Sequence, residues 1–121
     1  MKILVADDSK MARRMVIKIL QDCREEKDEI IEAQNGQEAV DLYKEHKPQI
    51  VFLDLTMPVM DGFTALKLIK TFDKSAQVVV ISADVQQGSM TQVREDGALD
   101  FVKKPITDVK MKQIFTKIKA V

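Results

Sequence analysis

Five short apolar runs, Ile3 to Ala6, Ile30 to Ala33, Ile50 to Leu53, Val78 to Ile81 and Leu99 to Val102, recur along the chain. Each has strand length, and several are continuous rather than alternating, as in strands buried on both faces of a parallel sheet. Segments with helical spacing separate them. After Ser9, a suitable N-cap, Ala12, Met15, Val16, Ile19 and Leu20 fall on one stripe, with Lys10, Arg13, Arg14 and Lys18 mainly elsewhere. Ala39, Val40 and Tyr43 mark a second helix after the Asn35-Gly36 turn signal, and Pro48 closes that connection. Phe63, Leu66 and Ile69 mark a third after Asp61-Gly62, and Met111, Ile114, Phe115 and Ile118 align in a last helix that starts near Thr107-Asp108. From Gln86 to Glu95 only Met90 and Val93 are strong apolar anchors. Five strand-then-helix units in alternation predict an α/β fold: a doubly wound, five-stranded parallel sheet with five helices on its two faces.

Length and charge narrow the functions such a fold can have. The 121 residues predict a single domain spanning 1–121, large enough to bury a core without disulfides or a structural metal. Lys and Arg number 19 against 19 Asp and Glu, so no bulk charge steers the chain to nucleic acid or to an anionic membrane. The mixed-sign run Arg24 to Glu29 reads as a solvated connection. Cys23, the sole cysteine, excludes an internal disulfide and a cysteine-based zinc site, which favours a reducing cytoplasm. The apolar stretch of MKILVADDSK is too short for a signal sequence, and no run reaches membrane-spanning length. A soluble cytoplasmic protein without membrane insertion is expected.

In a doubly wound sheet, ligands bind outside the carboxyl ends of the strands, near the topological switch. Asp7 and Asp8 follow the first strand, Asp54 ends the third, Ser82 follows the fourth, and Lys104 follows the fifth before Pro105. Three carboxylates, a hydroxyl and an ammonium would then converge on one edge. Clustered carboxylates are costly unless a cation joins them, and a hard divalent ion, Mg2+, suits carboxylate, carbonyl and water ligands. Beside such an ion Asp54 is a candidate nucleophile for phosphoryl transfer, with Lys104 and Ser82 as counter-charge and donor.

The order ILVADDS, VFLDLTMPVMDG, VVVISAD and FVKKP resembles the receiver domain of two-component response regulators, over essentially the whole chain. The resemblance implies strand order 2-1-3-4-5. It also implies a stand-alone, CheY-like signalling switch rather than an enzyme acting on external substrates, with its own self-phosphorylation and autodephosphorylation activity. By position, Asp8 resembles the direct Mg2+ ligand and Asp7 the residue that orients metal-bound water. Asp54 resembles the phosphoacceptor and metal ligand, and Thr56 the residue whose backbone carbonyl completes the protein ligands. Ser82 resembles the switch hydroxyl, Lys104 its lysine partner, and Phe101 the coupled switch aromatic. Serine stands where threonine is commoner, which keeps the donor and removes a methyl that restricts the rotamer. The implied partners are a histidine kinase, a phosphatase, and a downstream target on the face of the fourth helix, fifth strand and fifth helix, roughly Val85 to Glu95 and Phe101 to Lys119. A chemotaxis role is expected, with no output domain beyond the fifth helix.

Each motif has a plainer reading: an acidic helix start for Asp7-Asp8, a turn lysine for Lys104, an edge-strand aromatic for Phe101. Only their combination favours chemistry. His46 lacks a second ligand at metal spacing, Cys23 reads as a small hydrophobe, Tyr43 as helix packing, and Met11, Met15 and Met111 as core or flank, with Met90 suited to a binding surface. A phosphorelay intermediate is an alternative. A Mg2+-dependent phosphohydrolase of the haloacid-dehalogenase type is disfavoured, since it wants a second Asp where Thr56 stands. A flavin carrier would need a glycine- and hydroxyl-rich loop in place of DDSK.

Overall fold

The computed structural model describes residues 1–23, 27–83 and 86–118. The elements alternate as β1 (Lys2–Ala6), α1 (Lys10–Leu20), β2 (Glu29–Ala33), α2 (Gly36–His46), β3 (Ile50–Leu53), α3 (Gly62–Phe72), β4 (Val78–Ser82), α4 (Gln87–Glu95), β5 (Asp100–Lys103) and α5 (Asp108–Lys117). The five strands form one parallel sheet in the order β2-β1-β3-β4-β5. Both the alternation and the strand order agree with the sequence reading. Individual strand ends shift by one residue: Ser82 is the last residue of β4, and β5 runs from Asp100 rather than Leu99.

Strand periodicity divides the core into two layers, because successive side chains point to opposite faces. Ile3, Val5, Ile50, Phe52, Val79 and Ile81 join Val16 and Leu20 of α1 and Met111 and Ile114 of α5. Leu4, Ala6, Val51, Leu53, Val78 and Val80 join residues of α2, α3 and α4, among them Tyr43, Leu66 and Val93. Strands β1, β3 and β4 are covered on both faces, which accounts for their continuous apolar runs.

Side-chain caps start four of the helices. Ser9, Asn35, Asp61 and Thr107 accept from the backbone N–H three residues on. Helix α4 has no such cap at Gln86, carries Gly88 in its first turn and buries Val93. It is the helix that local sequence specifies least.

One stripe differs from expectation. Met15 is 48% exposed and Met11 73%, while Arg13, set among the outward residues by its charge, is 7% exposed. The other expected apolar anchors of α1 face inward, Val16 and Leu20 fully. Met111 is buried, as is Tyr43, whose hydroxyl donates to Asp73 at 2.7 Å.

Candidate functional site

The topological switch lies between β1 and β3, and register decides what meets there. Ala6 is aligned with Leu53, so Asp7 and Asp54 leave adjacent strand ends side by side. The Asp54 amide donates to the Ala6 carbonyl at 3.0 Å. Asp7 and Asp54 are buried and Asp8 is exposed. One carboxylate oxygen from each of the three lies within 4.8 Å of the other two, the one such cluster of potential metal ligands among the described residues.

Lys104 reaches this cluster from β5. Ser82 is paired with Lys103, and the Lys104 amide donates to the Ser82 carbonyl at 2.9 Å. The Lys104 ammonium then stands 2.7 Å from Asp7 Oδ2 and 3.4 Å from Asp54 Oδ1. Ser82 is buried at the adjoining strand end. Thr56, two residues past Asp54, is exposed between buried Leu55 and Met57, and Phe101, aligned with Val80, is half-buried against the α2–α4 layer. Asp7, Asp8, Asp54 and Lys104 are thus brought together, with Ser82 at the same sheet edge. Of the expected target face, Val85 and Lys119 lie outside the described residues, as do Arg24 to Glu26 of the charge run and Asp84 of the third motif.

The electrostatics follow from burial and like charge. Burial and the neighbouring Asp7 carboxylate push the Asp54 carboxyl above its ordinary range, and Lys104 offsets this only in part. Burial would lower Lys104, but its bonds and charge contacts to Asp7 and Asp54 outweigh that and raise it. Three oxygen donors with a single ammonium among them fit a hard divalent cation such as Mg2+. Asp7, Asp8 and Asp54 would hold it through their carboxylates or its bound water.

Two glycines shape the neighbouring loop. Gly62 donates to the Leu55 carbonyl at 2.9 Å, and a Cβ there would lie 2.1 Å from the Asp54 carbonyl oxygen. Gly36 donates to Met60 at 3.0 Å, and a Cβ would again meet that carbonyl oxygen at 2.1 Å. The Asp-Gly and Asn-Gly pairs therefore mark close backbone approach at helix starts, beyond the turn signal legible in sequence.

Sequence reasoning missed Arg13. Its Nη1 donates to the Asp7 carbonyl at 2.7 Å, and its Nε donates to Glu32 at 2.9 Å. The only signal was its position one helical turn past the Asp7-Asp8 pair, which charge patterning assigned to solvent. Other residues keep structural roles. Cys23 is half-buried, with burial raising its thiol above the ordinary range, and His46 lies 3.4 Å from the Lys2 ammonium. Beside the acidic cluster an apolar cleft of about 210 Å³ opens between α1 and the β5–α5 connection, walled by Met15, Val16, Ile19 and Ile106. Among the described residues no helix is long and apolar enough to cross a membrane.

Comparison with known proteins agrees with this geometry. The family model described as the response regulator receiver domain matches residues 3–116. The chemotaxis protein CheY of Bacillus subtilis strain 168 is 43% identical over 104 residues, covering 86% of this chain and 85% of the relative. CheY of Listeria monocytogenes is 46% identical over 105 residues, covering 87% of each. A chain in the crystal structure of the CheX-CheY-BeF3-Mg+2 complex from Borrelia burgdorferi superposes with a TM-score of 0.88 at 34% identity, covering 99% of this chain and 90% of that one.

Proposed function

The chain belongs to the response regulator receiver domain family, as a CheY-like receiver of two-component signalling, and on that premise we propose that it accepts a phosphoryl group on Asp54 from a histidine kinase. The observation that carries this reading is the convergence of the Asp7, Asp8 and Asp54 carboxylates within 4.8 Å, with the Lys104 ammonium against two of them. The 1–121 chain acts as one cytoplasmic receiver unit, a switch rather than an enzyme on external substrates.

In the transfer, an Asp54 carboxylate oxygen forms a bond to phosphorus as the P–N bond of the donor phosphohistidine breaks. The electron pair leaves with the imidazole nitrogen, which takes up a proton. Asp8, Asp54 and the Thr56 carbonyl would hold Mg2+, with Asp7 orienting its bound water, and the ion would supply positive charge to the phosphoryl oxygens. Asp54 is presented for attack just past a strand tip, with its amide held by the Ala6 carbonyl and the next residue's carbonyl, that of Leu55, held by Gly62. With no kinase present, a small acyl phosphate can serve as donor, and water attack on the acyl phosphate later resets the switch.

Phosphorylation changes the local charge. Three carboxylates, one ammonium and one divalent cation sum to zero, and replacing the Asp54 carboxylate by an acyl phosphate of about −2 shifts that sum to about −1. The new oxygens give Ser82 and Lys104 acceptors that exist only after transfer. Ser82 and Lys104 abut β5, and Phe101 on β5 couples their rearrangement to α4, the helix with fewest local determinants. The α4–β5–α5 face then binds a downstream target, and the CheY relatives favour a chemotaxis pathway. A phosphatase is a further partner. The test is incubation with Mg2+ and acetyl phosphate, followed by intact mass measurement. Wild type should gain one phosphoryl group and Asp54→Asn none; equal labelling of both, or none of wild type, overturns the assignment.

A further inference from the structure

We propose that Arg13 is a positioning residue for the divalent-cation site, acting through the Asp7–Asp8 peptide; this rests on the reading of that cluster given above. An arginine on the first helix of such a fold belongs in solvent by charge alone, and its neighbour Arg14 is exposed. Arg13 is instead 7% exposed, with its guanidinium between α1, the end of β1 and the edge strand β2. It holds the Asp7 carbonyl oxygen at 2.7 Å and Glu32 at 2.9 Å. These bonds leave from different nitrogens of one rigid planar fork, so anchoring Nε on Glu32 fixes the direction from which Nη1 reaches Asp7.

The bonded oxygen determines the consequence. The Asp7 carbonyl and the Asp8 amide form a single planar unit, so holding its oxygen fixes the rotation of the peptide that leads into Asp8. Asp7 is otherwise tied down by its own amide, which donates to the Ala33 carbonyl at 3.0 Å on the far side of the residue from the Asp8 peptide, by the Ser9 amide, which donates to Oδ1 at 2.9 Å, and by Lys104 on Oδ2. Asp8 is exposed and one residue short of the Ser9 cap, so its place in the cluster depends on the backbone that carries it. Arg13 sets that backbone and touches neither the ion nor any reacting group.

Charge and geometry make opposite predictions, which allows a decisive test. As a nearby cation, Arg13 repels a metal ion, so deleting its charge should tighten binding. As a positioning residue, its loss should weaken binding. Mn2+ affinity is measured on the full chain by electron paramagnetic resonance of the free ion, with thermal melting in parallel. Arg13→Met and Arg13→Lys should each weaken Mn2+ binding by about tenfold or more, the usual size of an outer-shell effect. Arg13→Lys keeps the charge, so its loss isolates the fork geometry. Unchanged or tighter binding by folded Arg13→Met, or wild-type affinity in Arg13→Lys with only a lowered melting temperature, overturns the proposal. If Arg13→Met does not fold, Arg13→Lys alone decides. Failure of wild type itself to bind Mn2+ overturns the cation reading, which is distinguishable from wild-type binding that the Arg13 variants share.

Discussion

Lys104 holds Asp7 more closely than Asp54: its ammonium lies 2.7 Å from Asp7 Oδ2 and 3.4 Å from Asp54 Oδ1. The ammonium therefore serves as counter-charge for the same carboxylates that a divalent cation needs, and the two cations repel each other. Removing it leaves the three carboxylates without a fixed positive charge. Lys104→Met should bind Mg2+ on the order of tenfold more tightly by isothermal titration at constant ionic strength. The same variant should still label with acetyl phosphate, but labelling should no longer alter the α4–β5–α5 face in NMR spectra. Weaker Mg2+ binding would mean that Lys104 orders Asp7 rather than competing with the ion.

An ionised Asp54 should cost stability in the metal-free protein. Its carboxyl is raised by burial and by Asp7, so between the ordinary carboxylate range and that raised value the folded state holds more protons than the unfolded one. Stability from this group is thus lost as pH rises through that window. Asp54→Asn should gain about 1 kcal/mol at pH 7 in chelator, by denaturant titration. The gain should shrink on acidification toward pH 4 and shrink again at saturating Mg2+. A variant less stable than wild type at pH 7 contradicts this.

Gly62 and Gly88 make a contrasting pair. An added methyl at Gly62 would stand 2.1 Å from the Asp54 carbonyl oxygen and 2.7 Å from Leu55 Cα, both backbone atoms that cannot yield without moving the site. Gly88, in α4, has nothing within 4 Å of the same position. Gly62→Ala should cost about 3 kcal/mol and depress acetyl phosphate labelling. Gly88→Ala should add up to about 1 kcal/mol through helix propensity. Urea melts of both variants, read against labelling rates, check the pair.

Sequence carried the fold because strand periodicity and caps are local. Ser9, Asn35, Asp61 and Thr107 cap the helices they precede, and the buried strands show as unbroken apolar runs. Asp7, Asp54 and Lys104 were legible because the strand-end rule places them on one edge before any distance is known. Arg13 was not legible. Helical spacing set Met15 inside and Arg13 outside, yet Arg13 finds two acceptors, one of them the Asp7 carbonyl, so a buried charge is satisfied where a methionine is left at 48% exposure. Whether an arginine has a carbonyl and a carboxylate within reach depends on tertiary distance, which amphipathic patterning does not encode. The need for Gly62 is equally non-local, arising where α3 begins against Asp54 and Leu55, just past β3.

Asp100 fastens α5 to the start of β5. Its Oδ2 accepts from Lys110 at 3.0 Å and Lys117 at 2.9 Å, two residues seven apart on one helix face, while Oδ1 accepts from the Phe101 amide at 2.8 Å. Burial would raise this carboxyl, but the bonds from Lys117, Lys110 and Phe101 outweigh it and hold it below its ordinary range. A depressed carboxyl contributes stability that is present above the unfolded value, about 4, and lost as pH falls through the folded value. Asp100→Asn keeps an acceptor for the Phe101 amide and removes only the charge. Both lysines are partly exposed, so screening limits the loss to about 1 kcal/mol at pH 7, and 1 M NaCl should reduce it further. Chemical denaturation of wild type and Asp100→Asn from pH 7 to pH 3 should show a gap that is steady down to about pH 5 and closes below it. A gap independent of both salt and pH would assign the effect to lost hydrogen-bond geometry instead of the charge on Asp100.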